Sequence, residues 1–408
     1  MMSTCLYRNS FGLDRNSDVV VPSSMDEREP RQTESNAELP QPSGRRGPPL
    51  SRVPPNVLSL RDAGPKNNIV RKLRESAKDC SMEKDHLWSI ILAGGEGERI
   101  RPLIQHWLGH HKPKQYCAFV GRRSMFQHTL DRADLIASPE RRVTVIARSH
   151  ESEARFQFGH RPAGILLVQP ANRDTAAGVF LALSHVRARD PEATVVVFPS
   201  DHFVCPEDRF VELVRNAIQC AKDFSDRLIL LGARPYNLEL EYGWIRPSLR
   251  LGGNAVWTLR AIDGYHEKPD SAVAQRYMGC GGVWNTMVFA AGLDLLWKLG
   301  WLCFPAIMER FERLVGAIDT PDEMTVLESI YDGMPSRNFS SHLLERAFSN
   351  AAVLEMQGIL WCDWGKPERI VSTLNWLGKK PAFPPEIVTG GVPCVRGQTA
   401  APPAGLIA

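Results

Sequence analysis

The sequence predicts an α/β fold built on a largely parallel central sheet with helices on both faces. Two observations carry this. Short continuous Val/Ile/Leu runs recur along the middle of the chain, and most are followed by a longer stretch with helical apolar spacing. A strand buried on both faces reads as an unbroken apolar run, and sequential parallel strands need a crossover between them.

The elements follow in order. WSIILA (88–93) is the first strand, and SMFQHTLDRADLIA (124–137) a helix after it. RVTVIA (142–147) and GILLVQ (164–169) are strands, the latter leading into the helix TAAGVFLALSHVRA (175–188). TVVVFP (194–199) precedes the helix PEDRFVELVRNAIQCAKDF (206–224), and LILLGA (228–233) is a further strand. Beyond Tyr242 the strands become less regular, in AVWTLRAIDGYHEK (255–268) and GVWNTMVFAA (282–291), which predicts a mixed extension of the sheet. Helical stretches follow at 293–314 and 323–330, and a last strand, GILWCDWG (358–365), runs into the helix KPERIVSTLNWLG (366–378). Residues 1–85 are rich in Pro, Ser and mixed charge (ELPQPSGRRGPPLSRVPPN), with only a short helical pattern at 70–77, so they are expected to be mostly disordered. An alternative is that the working protein begins at Met82. The predicted core therefore spans 86–381, with a loose Pro/Gly-rich tail over 382–408.

Composition narrows the function classes. With 49 basic and 46 acidic residues the net charge is +3, which gives no bulk attraction to nucleic acid or an anionic membrane. Nine cysteines lie far apart, which argues against a zinc clamp or a disulfide framework and favours a reducing cytoplasm. The start lacks a secretory apolar run, and the apolar stretch 287–308 contains Asp294 and Lys298, so no membrane anchor is expected.

Chemistry-bearing residues collect just after strands, where open α/β sheets bind ligands. The stretch ILAGGEGERIRPL (91–103) sets Gly94, Gly95 and Gly97 after the first strand, with Arg99 beyond them. A dinucleotide fingerprint fails because its third glycine position is Ile100, and a P-loop fails for want of a Gly-Lys-Ser/Thr ending. Another kind of nucleotide loop and an ordinary strand-turn-helix both remain open. Asp201 follows TVVVFP and Asp363 follows ILWC, each too far from the next helix to cap it. Two such isolated acids suit a hard divalent cation such as Mg²⁺. Lys112 to Gln115 and Tyr265 to Pro269 offer charged turns that could meet phosphate, but taken alone they read as ordinary exposed surface.

Taken in order, LAGGEGERIRPL, KPKQY, QPANRDTAAGVFLAL, VFPSDHF, EYGWI, HEKPD, GGVWNTMVF and DWG resemble the sugar-phosphate nucleotidyltransferase family, above all its mannose-1-phosphate guanylyltransferase branch. The resemblance runs from about Leu87 to Pro381. It implies a Rossmann-like three-layer sandwich with the mixed extension lying over a sugar site. It also implies that Gly94, Gly95 and Gly97 meet a nucleoside triphosphate, with Arg99 and Lys114 acting on its phosphates as the catalytic cations. Gln169 and Arg173 would lie by the base, and Gly243, Glu267 and Asn285 by the sugar. Lys268 would hold the sugar phosphate, and Asp201 and Asp363 the Mg²⁺. Three residues depart from the family's usual pattern: Glu98 stands for threonine, Asp174 for asparagine, and Met287 for a glycine.

The implied reaction joins a sugar 1-phosphate to a nucleoside monophosphate unit, most simply mannose 1-phosphate with GTP, and releases pyrophosphate. A homo-oligomer is compatible with the resemblance, and a different base or sugar stays open. Two rivals are a silent nucleotide-sugar-binding regulator and a glycosyltransferase. Retention of Arg99, Lys114 and both aspartates argues against the first. Against the second, Ser200-Asp201-His202 stands where an Asp-x-Asp pair is usual. Without metal, Asp201 and Asp363 are expected to repel each other, so Asn at either position is expected to leave stability unchanged or raised.

Overall fold

The structure, a computed structural model, describes residues 86–389 apart from Ala255. The expectations for 1–85 and for the end of the tail fall outside the described residues. The strands are β1 (Leu87–Ala93), β2 (Arg142–Ala147), β3 (Ile165–Gln169), β4 (Thr194–Pro199), β5 (Phe203–Cys205), β6 (Leu228–Ala233), β7 (Gly243–Gly253), β8 (Thr258–Glu267), β9 (Val283–Gly292), β10 (Ala351–Met356) and β11 (Leu360–Cys362).

Nine of them form one sheet in the order β3-β2-β1-β4-β9-β6-β10-β8-β7. Pairing is parallel for β3 with β2, β2 with β1, β1 with β4, and β6 with β10. β9 runs antiparallel between β4 and β6, and β8 antiparallel between β10 and β7. The start of β7 turns back onto the start of β9 through Trp244 and Ile245, so this half of the sheet curls over, as the predicted mixed extension requires.

Alternation along β1 shows how the layers form. Ile90 packs with the helix Asp174–Arg189 on one face, and Ile91 with the helices Met125–Asp134 and Glu207–Asp223 on the other. Successive strand side chains point to opposite faces, so a run such as WSIILA feeds two cores at once. Ser124 starts the helix Met125–Asp134 with a reciprocal cap, accepting from the Gln127 N–H while its own N–H meets the Gln127 side chain.

The chain order creates the site. β2 and β3 are added to one side of β1, whereas β4 is added to the other. Loops leaving the carboxyl ends of β1 and β4 must therefore part, and a crevice opens between them. A separate antiparallel ribbon pairs Cys362 of β11 with Phe203 of β5. That register sets Asp363 beside the Asp201-His202 loop.

The structure differs from the sequence reading at several points, adding β5 and the helices Arg101–Leu108, Glu151–Phe158 and Ser271–Gly279. The helical stretch 293–314 is two helices, Leu293–Cys303 and Pro305–Val315, because Pro305 can only open a new helix. β7 and β10 are additional strands; β7 contains Pro247 and shifts register repeatedly along its pairing with β8, which blurs its alternation. Packing also continues past Pro381: Phe383 is buried against Trp107 and Phe119, and the Ala382 N–H donates to the Phe119 carbonyl at 2.8 Å.

Candidate functional site

The glycine loop is shaped by its neighbours. A Cβ at Gly94 would lie 2.8 Å from the Gln169 amide nitrogen, and one at Gly97, whose φ is +63°, would lie 2.9 Å from the Lys114 Cβ. Gly95 has nothing within 4 Å of its Cβ position and faces open space. Gln115 fastens the following turn beneath the loop, its Nε2 donating to the carbonyls of Ala93 and Gly95, both at 2.9 Å. Lys114 is thereby carried to the crevice. A cleft of about 310 Å³ runs from Gly94 and Gly95 past Gln169, Asp174 and Ser200 to Asp201 and Met287.

At one end of this cleft the charges converge. The buried Lys114 ammonium lies 2.7 Å from Oδ2 of Asp201 and also donates to the Asp363 main-chain carbonyl. Asp363 is buried and heavily bonded: Oδ1 accepts from Tyr242 at 2.7 Å, Arg369 at 2.8 Å and the Gly365 N–H at 2.9 Å, and Oδ2 from Arg99 at 3.0 Å. Burial alone would raise this carboxyl's pKa, but the charges of Lys114 and Arg369 outweigh it and hold the group well below the usual carboxylate range. Asp201 is lowered in the same way, burial opposing and Lys114 with His202 prevailing. Arg99 reaches Glu241 at 2.8 Å with its other arm, and Arg369 spans Asp363, Glu239 and Glu241.

Among the described residues no group of three or more His, Cys, Asp or Glu side chains is placed to hold a metal ion. Mg²⁺ asks for less, one or two carboxylates with water and phosphate completing its shell. Asp201 retains Oδ1, 3.6 Å from His202, and Asp363 retains Oδ2 once Arg99 leaves it. The donor set fits such a cation on that condition.

Behind Met287 of the cleft wall, whose Sδ accepts from the Ser340 hydroxyl at 3.3 Å, lies a largely buried polar cluster. Glu267 accepts from the Tyr265 hydroxyl at 2.5 Å, and Asn285 Nδ2 donates to Tyr265 at 3.1 Å and to Ser340 at 3.3 Å. Burial raises the Glu267 carboxyl, with Tyr265 and Lys268 pulling the other way. Gly243 lies close against this cluster, since a Cβ there would lie 2.6 Å from the Glu267 carboxylate and closer still to the Tyr265 hydroxyl oxygen. Lys268 is exposed, with φ +48°.

Not every residue named by resemblance faces the cleft. Gln169 does; its Oε1 accepts from the Tyr331 hydroxyl at 3.1 Å, which aims Nε2 toward Gly94. Arg173 turns away and donates to the Tyr331 carbonyl at 3.0 and 3.3 Å. Glu98 is exposed in a neighbouring hollow that includes Arg99, Lys114 and Asp201. Asp174 and Met287 both lie in the left-handed region, at φ +63° and +58°, as does Trp364 at +46°. Positive φ in non-glycine residues is costly and tends to gather at functional sites.

Sequence reasoning missed the supporting residues. Tyr242 lies inside EYGWI and Arg369 six positions after Asp363, yet no local pattern marks either as an Asp363 partner. The segment 337–345 also escaped notice. Asn338 bonds Asp174, the Phe339 N–H bonds Thr175, Ser340 bonds Asn285, and Glu345 accepts from the Glu267 N–H.

Comparison with known proteins bears on this arrangement. Residues 88–377 match the family model for nucleotidyl transferases. A mannose-1-phosphate guanylyltransferase of Escherichia coli is 29% identical over 296 residues, 70% of this chain and 59% of that protein. The xanthan biosynthesis protein XanB of Xanthomonas campestris is 32% identical over 204 residues, 49% of this chain and 41% of that one. This chain therefore spans less than two thirds of the length of either relative. A crystal structure titled mannose-1-phosphate geranyltransferase, from Thermus thermophilus, superposes with a TM-score of 0.60 at 28% identity, covering 70% of this chain and 79% of its own. No helix among the described residues is long and apolar enough to cross a membrane. Glycine loop, facing aspartates and buried lysine thus stand within a match that covers most of the sequence, and the chain belongs to the nucleotidyl transferase family.

Proposed function

We propose that the protein joins mannose 1-phosphate to the guanylyl group of GTP, giving GDP-mannose and pyrophosphate. The observation that carries this reading is the meeting of Arg99, Lys114, Asp201 and Asp363 beside a glycine-lined cleft at the switch point of the sheet. A sugar-phosphate oxygen attacks the α-phosphorus, the bond to the bridging oxygen breaks, and pyrophosphate leaves with that electron pair. The attacking oxygen is already anionic, so no general base is needed, and positioning with charge neutralisation supplies most of the acceleration.

Each residue then has a task. The backbone of Gly94, Gly95 and Gly97 lets the phosphates approach closely, and Gln169 with its fixed amide meets the base. Arg99 and Lys114 offset triphosphate charge. Asp201 and Asp363 would hold Mg²⁺, which when bound supplies further charge neutralisation on the phosphate oxygens. Glu267, Asn285 and the close backbone of Gly243 face the sugar hydroxyls, and the exposed Lys268 ammonium takes the sugar phosphate. Support for guanine and mannose comes from the relatives' names together with the stretch Gln169 to Thr175.

The test is a panel of four nucleoside triphosphates against several sugar 1-phosphates, with pyrophosphate release as readout. GTP with mannose 1-phosphate should be fastest. A clear preference for UTP or dTTP overturns the base assignment. Tight nucleotide-sugar binding without turnover of any pair favours a silent regulator.

A further inference from the structure

We infer that Arg99 is an exchangeable cap on Asp363. Its guanidinium occupies the Oδ2 edge of the carboxylate until a triphosphate draws it off, so a divalent cation binds well with the nucleotide and poorly alone. This rests on the nucleotidyl-transfer reading above.

The two edges of the carboxylate are held very differently. Oδ1 is anchored by Tyr242, Arg369 and the Gly365 N–H. Tyr242 and Arg369 are themselves buried, so this edge is fixed and the orientation of the group with it. Oδ2 meets Arg99, whose side chain is 53% exposed. A guanidinium and a divalent cation cannot share that oxygen without like-charge repulsion. Arg99 is also the arginine that can leave without cost to its other partner. Glu241 keeps Arg369 at 2.9 Å and Lys366 at 2.8 Å after Arg99 departs. Gly365 makes room for the cap, since a Cβ there would lie 2.6 Å from Arg99 Nη2. A triphosphate offers the guanidinium bidentate oxygens and more charge than the Asp363 edge does. Removing the cap exposes an oxygen already aimed by its three anchors.

Mn²⁺ binding to the full chain without nucleotide, read from the paramagnetic resonance of the free ion, tests the cap. Arg99→Gln should bind Mn²⁺ on the order of 10-fold tighter than the unaltered protein, and the gain should vanish in Arg99→Gln/Asp363→Asn. Lys366→Gln removes an equal charge from Glu241 without touching Asp363 and should change the affinity less than about 2-fold. Arg99→Met, which keeps the apolar stem, serves if the glutamine variant melts early. Equal gains in the Lys366 and Arg99 variants, or no gain in either Arg99 variant, overturn the cap. Tighter Mn²⁺ binding in the Arg99 variants with no turnover of any substrate pair by the unaltered protein overturns the nucleotidyl-transfer reading instead, whereas turnover by the unaltered protein with unchanged Mn²⁺ affinity in the Arg99 variants rejects the cap alone.

Discussion

The ammonium of Lys114 lies 2.7 Å from Oδ2 of Asp201, and Lys114 is only 4% exposed. A buried cation thus stands between the loops after β4 and β11, where the proposed reaction would bring phosphate charge. Lys114→Met keeps most of the volume and removes the charge. Turnover should fall on the order of 10²-fold or more if several kcal/mol of transition-state stabilisation are lost. Stability should fall less than for a fully buried pair, by about 1–2 kcal/mol, because the Asp201 side chain is 36% exposed and stays hydrated. Urea unfolding and pyrophosphate release measure the two losses separately.

The same geometry revises what asparagine should do at the two aspartates. The sequence suggests two carboxylates repelling each other, yet Lys114 lies between them and Asp363 is further held by Arg99, Arg369, Tyr242 and Gly365. Asp363→Asn should therefore destabilise, by about 3 kcal/mol, since the buried Arg369 guanidinium loses its buried carboxylate partner. Asp201→Asn takes the carboxylate partner of the buried Lys114 ammonium, but from a partly hydrated position, and should cost about 1–2 kcal/mol. Both should depress turnover by about 10²-fold or more if they hold the metal. Chemical unfolding without metal separates the two variants, and an unchanged Asp363→Asn midpoint would contradict the network described.

Stability should depend on pH in a matching way. The Asp363 carboxyl titrates below its ordinary value in the folded protein, since Lys114 and Arg369 outweigh the burial that opposes them. Its ionised form stabilises the fold above the unfolded pKa, about 3.9. That contribution is lost as pH falls from there through the lower folded value. Between about pH 5 and pH 3 the melting temperature of the unaltered protein should drop more steeply than that of Asp363→Asn. Parallel profiles would show that another carboxyl dominates acid unfolding.

The parts of the fold legible in the sequence were those with one dominant signal. β1, β2, β3, β4 and β6 are unbroken apolar runs, and their boundaries were read almost to the residue. β7 was not, because Pro247 and its register shifts erase the alternation. β10 was missed because AAVLEM is six residues long and half of it is alanine and methionine. At the site the strand-end residues were legible, since strand ends are where α/β crevices open. Tyr242, Arg369 and Ser340 were not, because each reaches its partner across the fold or from a helix whose own pattern reports only packing. Proximity of that kind is set by tertiary arrangement and leaves no local trace.

Arg173 is where resemblance and geometry pull apart most clearly. The resemblance sets it by the base, but its guanidinium donates through Nε and Nη2 to the carbonyl of Tyr331, the last residue of the helix Glu323–Tyr331. A cation on a carbonyl at a helix C-terminus, here one that also accepts from the Met334 N–H at 3.3 Å, is favourable both as a hydrogen bond and against the helix dipole. Arg173 is tied down again from its own backbone, whose carbonyl accepts from the Arg337 N–H at 3.3 Å. Tyr331 in turn holds Gln169 through its hydroxyl, so Arg173 bears on the cleft through Tyr331. Arg173→Met should cost about 1–3 kcal/mol of stability, the range for losing a charged hydrogen bond. The ratio of GTP to UTP turnover should then stay within about 2-fold of the unaltered protein's, well under 1 kcal/mol. Gln169→Ala, by contrast, should shift that ratio on the order of 10-fold or more, as expected when a buried polar contact to one base is lost. A shifted ratio in Arg173→Met with an unchanged melting temperature would return Arg173 to the base.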